Sequence, residues 1–177
     1  MPEKVDLAKS IRSIPDFPKP GILFRDITTL LKDKNAFKKA VDLIAAKFSK
    51  NKIDYVVGVE ARGFIFGGAL AQKLKVGFIP VRKKGKLPWK TKSITYSLEY
   101  ATDTLEIHED ALNPKDKVLI VDDLLATGGT VQAVAHLVKA QGAKIIAVAF
   151  VIELVDLKGR DKLKEYPVVS LVKFEGE

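Results

Sequence analysis

The 177-residue sequence predicts a three-layer α/β fold, in which helices flank a mostly parallel central sheet. Short apolar runs, typical of strands buried on both faces, alternate along the chain with amphipathic runs of helical period. The hydrophobic fraction of 47% is sufficient for the core of one domain of this length. We therefore expect residues 1–177 to form a single domain that carries a small N-terminal arm.

The N-terminal arm is expected to pack on the domain. Residues 5–12 could form a short helix. Three prolines and a glycine then interrupt regular structure between residues 14 and 21. Residues 21–27 follow as an extended segment.

Two strands and two helices are predicted next. Asp33 can N-cap a helix that runs to about Lys50, because its carboxylate can accept backbone hydrogen bonds. Residues 54–60 (DYVVGVE) are typical of a buried strand, and a second helix is expected at about 64–74. Residues 77–81 form the next short strand.

Two charged segments follow these strands. From the residues alone, each segment could bind an anion or could be a solvent-exposed loop. Residues 60–63 (EARG) lie at a strand-to-helix junction, where Arg62 could bind an anion or face solvent in an ordinary loop. Residues 82–86 (RKKGK) have four positive charges, which suit pyrophosphate but also a solvated loop.

A β-hairpin is predicted between residues 94 and 107. Apolar and polar residues alternate strictly from Ile94 to Tyr100, as in a half-buried strand. Residues 104–107 could form the second arm. This alternation places Glu99 on the polar face.

Residues 118–130 (VLIVDDLLATGGT) predict a strand, a glycine-rich turn and a helix. We expect the buried strand to span residues 118–121 and to end at Asp122 and Asp123. Ligands of α/β sheets bind at such strand ends, and anions bind at helix N-termini.

The residue types in this turn suit a phosphate. Glycines allow backbone N–H groups to close around an anion, and threonines add hydroxyl donors. The candidate phosphate ligands are Ala126, Thr127, Gly128, Gly129 and Thr130. Asp122 and Asp123 suit the hydroxyls of a neighbouring diol, or a Mg²⁺ ion reached through water. Together these groups describe a site for a ribose 5-phosphate.

The last third of the chain adds two strands. Residues 144–155 form a long apolar strand, and residues 159–164 could form a short helical turn. Residues 167–174 are predicted to form a strand at a sheet edge, because a proline opens it.

Five motifs together resemble the type I phosphoribosyltransferase family. Residues 118–130 are similar to the segment with which that family binds phosphoribosyl pyrophosphate. Four others are similar to its adenine-specific members: 24–27 (FRDI), 58–64 (GVEARGF), 97–100 (SLEY) and 153–154 (EL). The resemblance covers nearly the whole chain.

The resemblance implies a fold and an activity. The fold would be that of the type I family, with residues 1–30 as a hood arm and about 87–107 as a mobile catalytic loop. The late strands would complete the hood. The reaction would convert adenine and 5-phosphoribosyl 1-pyrophosphate to AMP and pyrophosphate with Mg²⁺. The family is usually dimeric, so a homodimer is expected.

The resemblance also implies roles for particular residues. The backbone of Leu23 and Arg25 would read the adenine edge, while Phe24 stacks on the ring and Leu154 contacts it. Glu99 would act as general acid/base, and Tyr100 would cover the site or pack at the subunit boundary.

On the pyrophosphate side, the resemblance assigns three cations. Arg62, Arg82 and Lys83 would contact pyrophosphate, and a non-proline cis peptide is expected between Glu60 and Ala61. The resemblance therefore favours the anion-binding interpretation of both charged segments.

Composition argues against several other classes of protein. The formal net charge is +8, but 25 of the 30 basic residues are lysines scattered along the chain, which does not favour nucleic-acid binding. No apolar run is long enough to span a membrane. The absence of cysteine and of a secretory signal fits a cytoplasmic protein.

Two alternatives stay open at this point. The chain could transfer the phosphoribosyl group to another base, because the proposed base contacts are partly backbone. It could instead be a regulatory module that binds phosphoribosyl pyrophosphate and nucleic acid.

Overall fold

The computed structural model describes residues 5–97 and 102–176, and nine strands and four α-helices lie within these ranges. Two short 3₁₀ turns precede the last strand. The elements are β1 (Arg12–Ile14), β2 (Phe24–Asp26), α1 (Thr28–Lys32), α2 (Lys34–Phe48), β3 (Tyr55–Val59), α3 (Arg62–Leu74), β4 (Gly77–Lys83), β5 (Thr91–Ser97), β6 (Thr102–His108), β7 (Lys117–Leu125), α4 (Gly129–Ala140), β8 (Lys144–Leu154), the 3₁₀ turns Val155–Leu157 and Gly159–Leu163, and β9 (Val168–Phe174).

A seven-stranded sheet organises the chain, with strand order β5-β6-β4-β3-β7-β8-β9. The five strands from β4 to β9 in this order are parallel, and the β5–β6 hairpin joins the β4 edge in antiparallel pairing. This arrangement confirms the predicted mostly parallel α/β sheet, with the last strand at an edge.

Both faces of the central parallel strands are buried, which gives the fold its three layers. Neighbouring residues of one strand point to opposite faces. Val56 packs into the core beneath α2 and α3, whereas Val57 packs into the core beneath α4, and both are 0% exposed. Strands buried on both faces have continuous apolar sequences, and such apolar runs are the basis for predicting these strands.

The predicted N-cap of α2 is confirmed. The Asp33 carboxylate accepts hydrogen bonds from the backbone N–H groups of Asn35 (2.8 Å) and Ala36 (3.2 Å). These donors have no partner within the helix, so the cap defines where α2 begins.

The prediction of a helix at residues 5–12 is wrong. The Asp6 carboxylate accepts the N–H of Ala8 (3.0 Å), which supports a turn, and the chain then enters β1. β1 pairs with β2 in a separate two-stranded sheet, stabilised by an Arg12–Asp26 ion pair with Nη2 and Oδ2 2.6 Å apart. The five-residue helix α1 was not predicted.

The late strands contact this arm but do not belong to it. β8 and β9 lie in the main sheet. The Arg25 guanidinium stacks on the Phe174 ring at the end of β9, with Cζ 3.9 Å from the ring centroid. This contact attaches the arm to the sheet.

The predicted hairpin is present. β5 and β6 pair from Thr91 opposite His108 to Ser97 opposite Thr102. Ile94 and Tyr96 pack against the core, while Thr95 is exposed, as the alternation predicted. Glu99 and Tyr100 lie outside the described residues.

Within residues 5–97 and 102–176, the helices are too short or too polar to span a bilayer.

Candidate active site

A cavity of about 250 Å³ lies where two strand-to-helix junctions meet at one edge of the sheet. β3 and β7 are parallel neighbours, with Gly58 opposite Val121, so their carboxyl ends lie side by side. Residues 60–62 from one junction and 122–131 from the other line the cavity. The structure therefore brings Arg62 to the predicted ribose 5-phosphate site.

The peptide bond between Glu60 and Ala61 is cis, which confirms the expectation from the family resemblance. α3 then begins at Arg62, about two residues earlier than predicted. Gly63 allows this helix to approach the second junction closely, because a Cβ at Gly63 would lie 2.8 Å from Asp122 Oδ1.

The expected end of the central strand is wrong. β7 continues through Leu125, so Asp122 and Asp123 lie within the strand rather than after it. The extension forms because β8 runs beside it, with Leu124 opposite Ile152 and Leu125 opposite Glu153. The two acids are thereby held by backbone pairing instead of by a loop.

The two acids have different partners. Asp123 is buried and pairs with Arg62, whose Nε lies 2.9 Å from Oδ2. Asp122 Oδ1 accepts the backbone N–H of Asp123 at 2.8 Å. Arg62 therefore compensates directly for only one of two adjacent carboxylates.

Burial changes the acidity of this pair. Removal from water raises the pKa of Asp122 well above its ordinary value, and the Asp123 charge adds to the effect. Removal from water also raises the pKa of Asp123, against the opposing influence of Arg62. In their ionised form, two such carboxylates accept hydrogen bonds from hydroxyl groups and repel a phosphate placed directly on them.

The glycine-rich turn has the geometry of an anion site. Gly128 has a φ of +79° and precedes α4, which begins at Gly129. The first N–H groups of a helix lack helical acceptors, and here they belong to residues 129–131, which line the cavity. All five predicted phosphate ligands, residues 126–130, line the cavity.

Sequence reasoning missed a glycine that supports this turn. Gly159 packs so closely beneath it that a Cβ would lie 2.2 Å from the carbonyl oxygen of Ala126. A Cβ on Gly128 would in turn meet the carbonyl oxygen of Gly159 at 2.5 Å. Nothing in the local sequence around Gly159 signals this contact, which joins segments about 30 residues apart.

A network of polar side chains holds Gly159 in place. Arg160 donates to both carboxylate oxygens of Glu153, at 2.5 and 2.7 Å, and to the carbonyl oxygen of Val168 at 3.1 Å. Ser170 also contacts Glu153. These contacts tie the 3₁₀ turn to β8 and β9, and Arg160 lowers the pKa of Glu153.

Arg82 and Lys83 lie outside the cavity lining. Both belong to β4 rather than to a loop, so their side chains point to opposite faces. Arg82 makes two contacts with Glu60, at 3.0 and 3.3 Å, and Lys83 Nζ lies 3.1 Å from Asp103 Oδ2. Arg82 lowers the pKa of Glu60, and it reaches the cavity edge through that residue.

The arm lies beside the first junction. The Phe24 ring packs edge-on against Phe17, with centroids 5.1 Å apart, and Arg62 Cζ lies 5.7 Å from the Phe24 centroid. Leu23 and Leu154 are both half-buried, and Leu154 pairs with Phe174 at the end of β8. The structure thus places Phe24 near the cavity, although none of Leu23, Phe24, Arg25 and Leu154 lines it.

The donor set fits Mg²⁺ that is held mainly by substrate and water. Among the residues that the structure describes, three or more carboxylates or histidines do not cluster to enclose a metal ion. Mg²⁺ commonly keeps several waters and binds one or two carboxylates together with substrate phosphates. Asp122 offers such a carboxylate at the cavity.

Comparisons with known proteins agree on one family. A model of the phosphoribosyl transferase domain matches residues 27–176. The adenine phosphoribosyltransferase of Symbiobacterium thermophilum is 58% identical over 170 residues, covering 96% of this chain and 100% of that protein.

Solved structures give the same result. A crystal structure of adenine phosphoribosyltransferase from Thermoanaerobacter pseudethanolicus is similar with a TM-score of 0.92 at 52% identity, covering 95% of this chain and 98% of that one. The Saccharomyces cerevisiae enzyme, complexed with an imino-altritol bisphosphate and adenine, has a TM-score of 0.89 at 43% identity, covering 94% and 96%.

Gly159→Ala should weaken the binding of ribose 5-phosphate by about tenfold or more, because the new methyl group displaces the turn and disturbs one or more charge-assisted hydrogen bonds. Isothermal calorimetry measures this affinity. Gly68→Ala is the matched control, because a Cβ at Gly68 meets no atom within 4 Å. Equal affinities for both variants and the unaltered chain would contradict the supporting role of Gly159.

Asp122→Asn should raise the melting temperature of the ligand-free protein at pH 8 by about 2–4 °C, as expected for roughly 1 kcal/mol. The folded state raises the pKa of Asp122, so its ionised form costs stability at high pH. This loss of stability disappears as the pH falls toward 3.8, the ordinary pKa of an aspartate. The rise in melting temperature caused by Asp122→Asn should therefore shrink between pH 8 and pH 5. Scanning calorimetry over this range tests the trend, with the exposed Asp110→Asn as control. A gain that is constant with pH would argue against a raised pKa of Asp122.

Proposed function

Because the chain belongs to the adenine-specific branch of the phosphoribosyltransferase family, we propose that its cavity transfers the phosphoribosyl group of 5-phosphoribosyl 1-pyrophosphate to N9 of adenine. The products are AMP and pyrophosphate, and the reaction belongs to purine salvage. The observation that carries this proposal is the single cavity shared by the glycine-rich turn, the acid pair and Arg62.

The ribose 5-phosphate end of the substrate fits the second junction. Residues 126–130 bind the 5-phosphate through backbone N–H groups and threonine hydroxyls. Each such charge-assisted hydrogen bond contributes about 1.5–3 kcal/mol, more than the roughly 0.3–1 kcal/mol from the helix dipole. Asp122 and Asp123 accept the ribose hydroxyls, and their charge disfavours a phosphate in that position.

The pyrophosphate end is assigned to the first junction. Arg62 lines the cavity and is the cation best placed to meet the leaving group. Arg82 and Lys83 act there only after exchanging Glu60 and Asp103 for phosphate oxygens. Mg²⁺ bound with the substrate would supply further positive charge at this end of the site.

The adenine end is assigned to the arm and the hairpin. Phe24 stacks on the ring, the backbone of Leu23 and Arg25 reads its edge, and Leu154 contacts it from β8. The position of Phe24 beside Arg62 supports this assignment. Tyr100 covers the site.

The chemistry requires positioning and proton transfer. The bond from ribose C1 to the pyrophosphate oxygen breaks and its electrons leave with pyrophosphate, while N9 of adenine forms the new bond to C1. Glu99 acts as general acid/base for the proton that adenine loses. Holding both reactants in line can lower the barrier by roughly 7–11 kcal/mol.

We propose for the whole chain the organisation that the family resemblance implies. Residues 1–177 act as one domain, with 1–30 as hood arm and about 87–107 as the mobile catalytic loop. The match of one family model to residues 27–176 supports this view. We further propose a cytoplasmic homodimer that binds small-molecule substrates and no nucleic acid.

Incubation with phosphoribosyl pyrophosphate, Mg²⁺ and each base in turn tests the function. We expect AMP from adenine and no nucleotide from hypoxanthine, guanine, xanthine or orotate, as measured by chromatography. Formation of IMP, GMP, XMP or OMP instead would overturn the adenine assignment and leave the ribose 5-phosphate site standing. Tight binding of phosphoribosyl pyrophosphate without any product would favour a regulatory module.

Glu99→Gln should lower kcat for AMP formation by about 10²–10⁴-fold, the usual contribution of a general acid or base. The affinity for phosphoribosyl pyrophosphate should change little, since Glu99 is assigned to adenine. Steady-state kinetics and calorimetry separate the two effects. Glu109→Gln, at an exposed position just beyond β6, is the matched control. Equal losses in kcat and in affinity would exclude this role.

A further inference from the structure

One cross-strand pair of the hairpin touches two groups that the proposed function assigns to opposite ends of the substrate. Tyr96 on β5 lies directly opposite Asp103 on β6. Residues opposite each other in an antiparallel pair share a face of the sheet. Tyr96 extends from this face to Thr130, and Asp103 extends to Lys83.

Tyr96 is held against the helix that begins at the phosphate turn. Its hydroxyl lies 3.3 Å from Thr130 Oγ1, and its ring packs against the core beneath α4. Lys92, four residues earlier on the same face, donates to the carbonyl oxygen of Ala140 at 3.3 Å. β5 therefore contacts both ends of α4, and these contacts place the Tyr96 hydroxyl beside Thr130.

The direction of the hydrogen bond between Tyr96 and Thr130 matters for phosphate binding. A threonine hydroxyl has one proton and two lone pairs. If the Tyr96 O–H donates to Thr130 Oγ1, the proton of Thr130 stays available for a phosphate oxygen. A tyrosine hydroxyl with an ordinary pKa of about 10 is protonated at neutral pH, so Tyr96 has a proton to donate to Thr130 Oγ1.

Asp103 occupies its partner Lys83, whereas Tyr96 leaves the proton of Thr130 available to a ligand. Its Oδ2 lies 3.1 Å from Lys83 Nζ, with the aspartate side chain 24% exposed and the lysine side chain 60% exposed. The more exposed lysine can turn away from the more buried aspartate. A pyrophosphate that binds Lys83 therefore competes with the Asp103 carboxylate for the same ammonium group.

We infer that the cross-strand pair of Tyr96 and Asp103 changes the affinity of the site for the two ends of the substrate in opposite directions. Tyr96 strengthens the binding of the 5-phosphate, whereas Asp103 weakens the binding of pyrophosphate. Tyr96 is a positioning residue that orients the Thr130 hydroxyl toward the 5-phosphate. Asp103 is an internal counter-anion that competes with pyrophosphate for Lys83. This inference rests on the proposed function, because it takes Thr130 and Lys83 as substrate ligands.

Two substitutions test the inference through effects of opposite sign. Tyr96→Phe removes only the hydroxyl and should raise the Kd for ribose 5-phosphate by about 3–10-fold, as expected for one hydrogen bond. Asp103→Asn removes only the charge and should lower the Kd for pyrophosphate by about 2–5-fold, since exposed ion pairs are weak. Calorimetry with each ligand gives both values.

Thr95→Val is the matched control. It removes one hydroxyl from the neighbouring cross-strand pair, where Thr95 and Thr104 are hydrogen-bonded at 2.9 Å on the other face. Both affinities should stay unchanged in this variant. A general loosening of the hairpin would instead weaken the binding of both ligands in all three variants. This outcome would overturn the inference.

The remaining outcomes separate this inference from the function on which it rests. If the unaltered chain forms AMP, but Tyr96→Phe and Asp103→Asn bind ribose 5-phosphate and pyrophosphate with the same affinities as the unaltered chain, the inference fails and the proposed function stands. Weaker pyrophosphate binding by Asp103→Asn would also overturn it, because Asp103 would then hold Lys83 in place. If the unaltered chain neither forms AMP nor binds ribose 5-phosphate, both fail together.

Discussion

The parallel pairing of β3 with β7 is the constraint on which the rest of the site depends. Because the two strands run in the same direction, both strand-to-helix junctions open at one edge of the sheet. One junction provides Arg62 and the other provides the acid pair and the glycine-rich turn. A shift of the β3–β7 register would separate these groups even if each junction kept its local shape.

Close approach of backbone to backbone, and of backbone to side chain, gives the site its rigidity. Gly63 lets α3 approach Asp122, and Gly128 and Gly159 let the turn rest on the segment that follows β8. The buried Glu153, held by Arg160, fixes that segment from behind. Fixed donors and acceptors of this kind bind a phosphate without reorganising, which is the main source of strong electrostatic binding in enzyme sites.

Charge balance links the site to the hairpin. Three cations near the site have a carboxylate partner: Arg62 with Asp123, Arg82 with Glu60, and Lys83 with Asp103. Under the proposed function, a substrate rich in negative charge competes with these carboxylates. Its binding is then an exchange of anions, and the strength of each internal ion pair contributes to the net affinity.

The sequence by itself determined the α/β class, the cap at Asp33, the hairpin and the residue types of the phosphate turn. These features depend on local periodicity and turn chemistry, which neighbouring residues encode. Only the tertiary structure decided that β7 extends past Asp123, that Arg82 and Lys83 face opposite sides of a strand, and that Gly159 supports the turn. Each of these depends on contact with a segment distant along the chain, such as β8 beside β7, and no local pattern records which distant segments will meet.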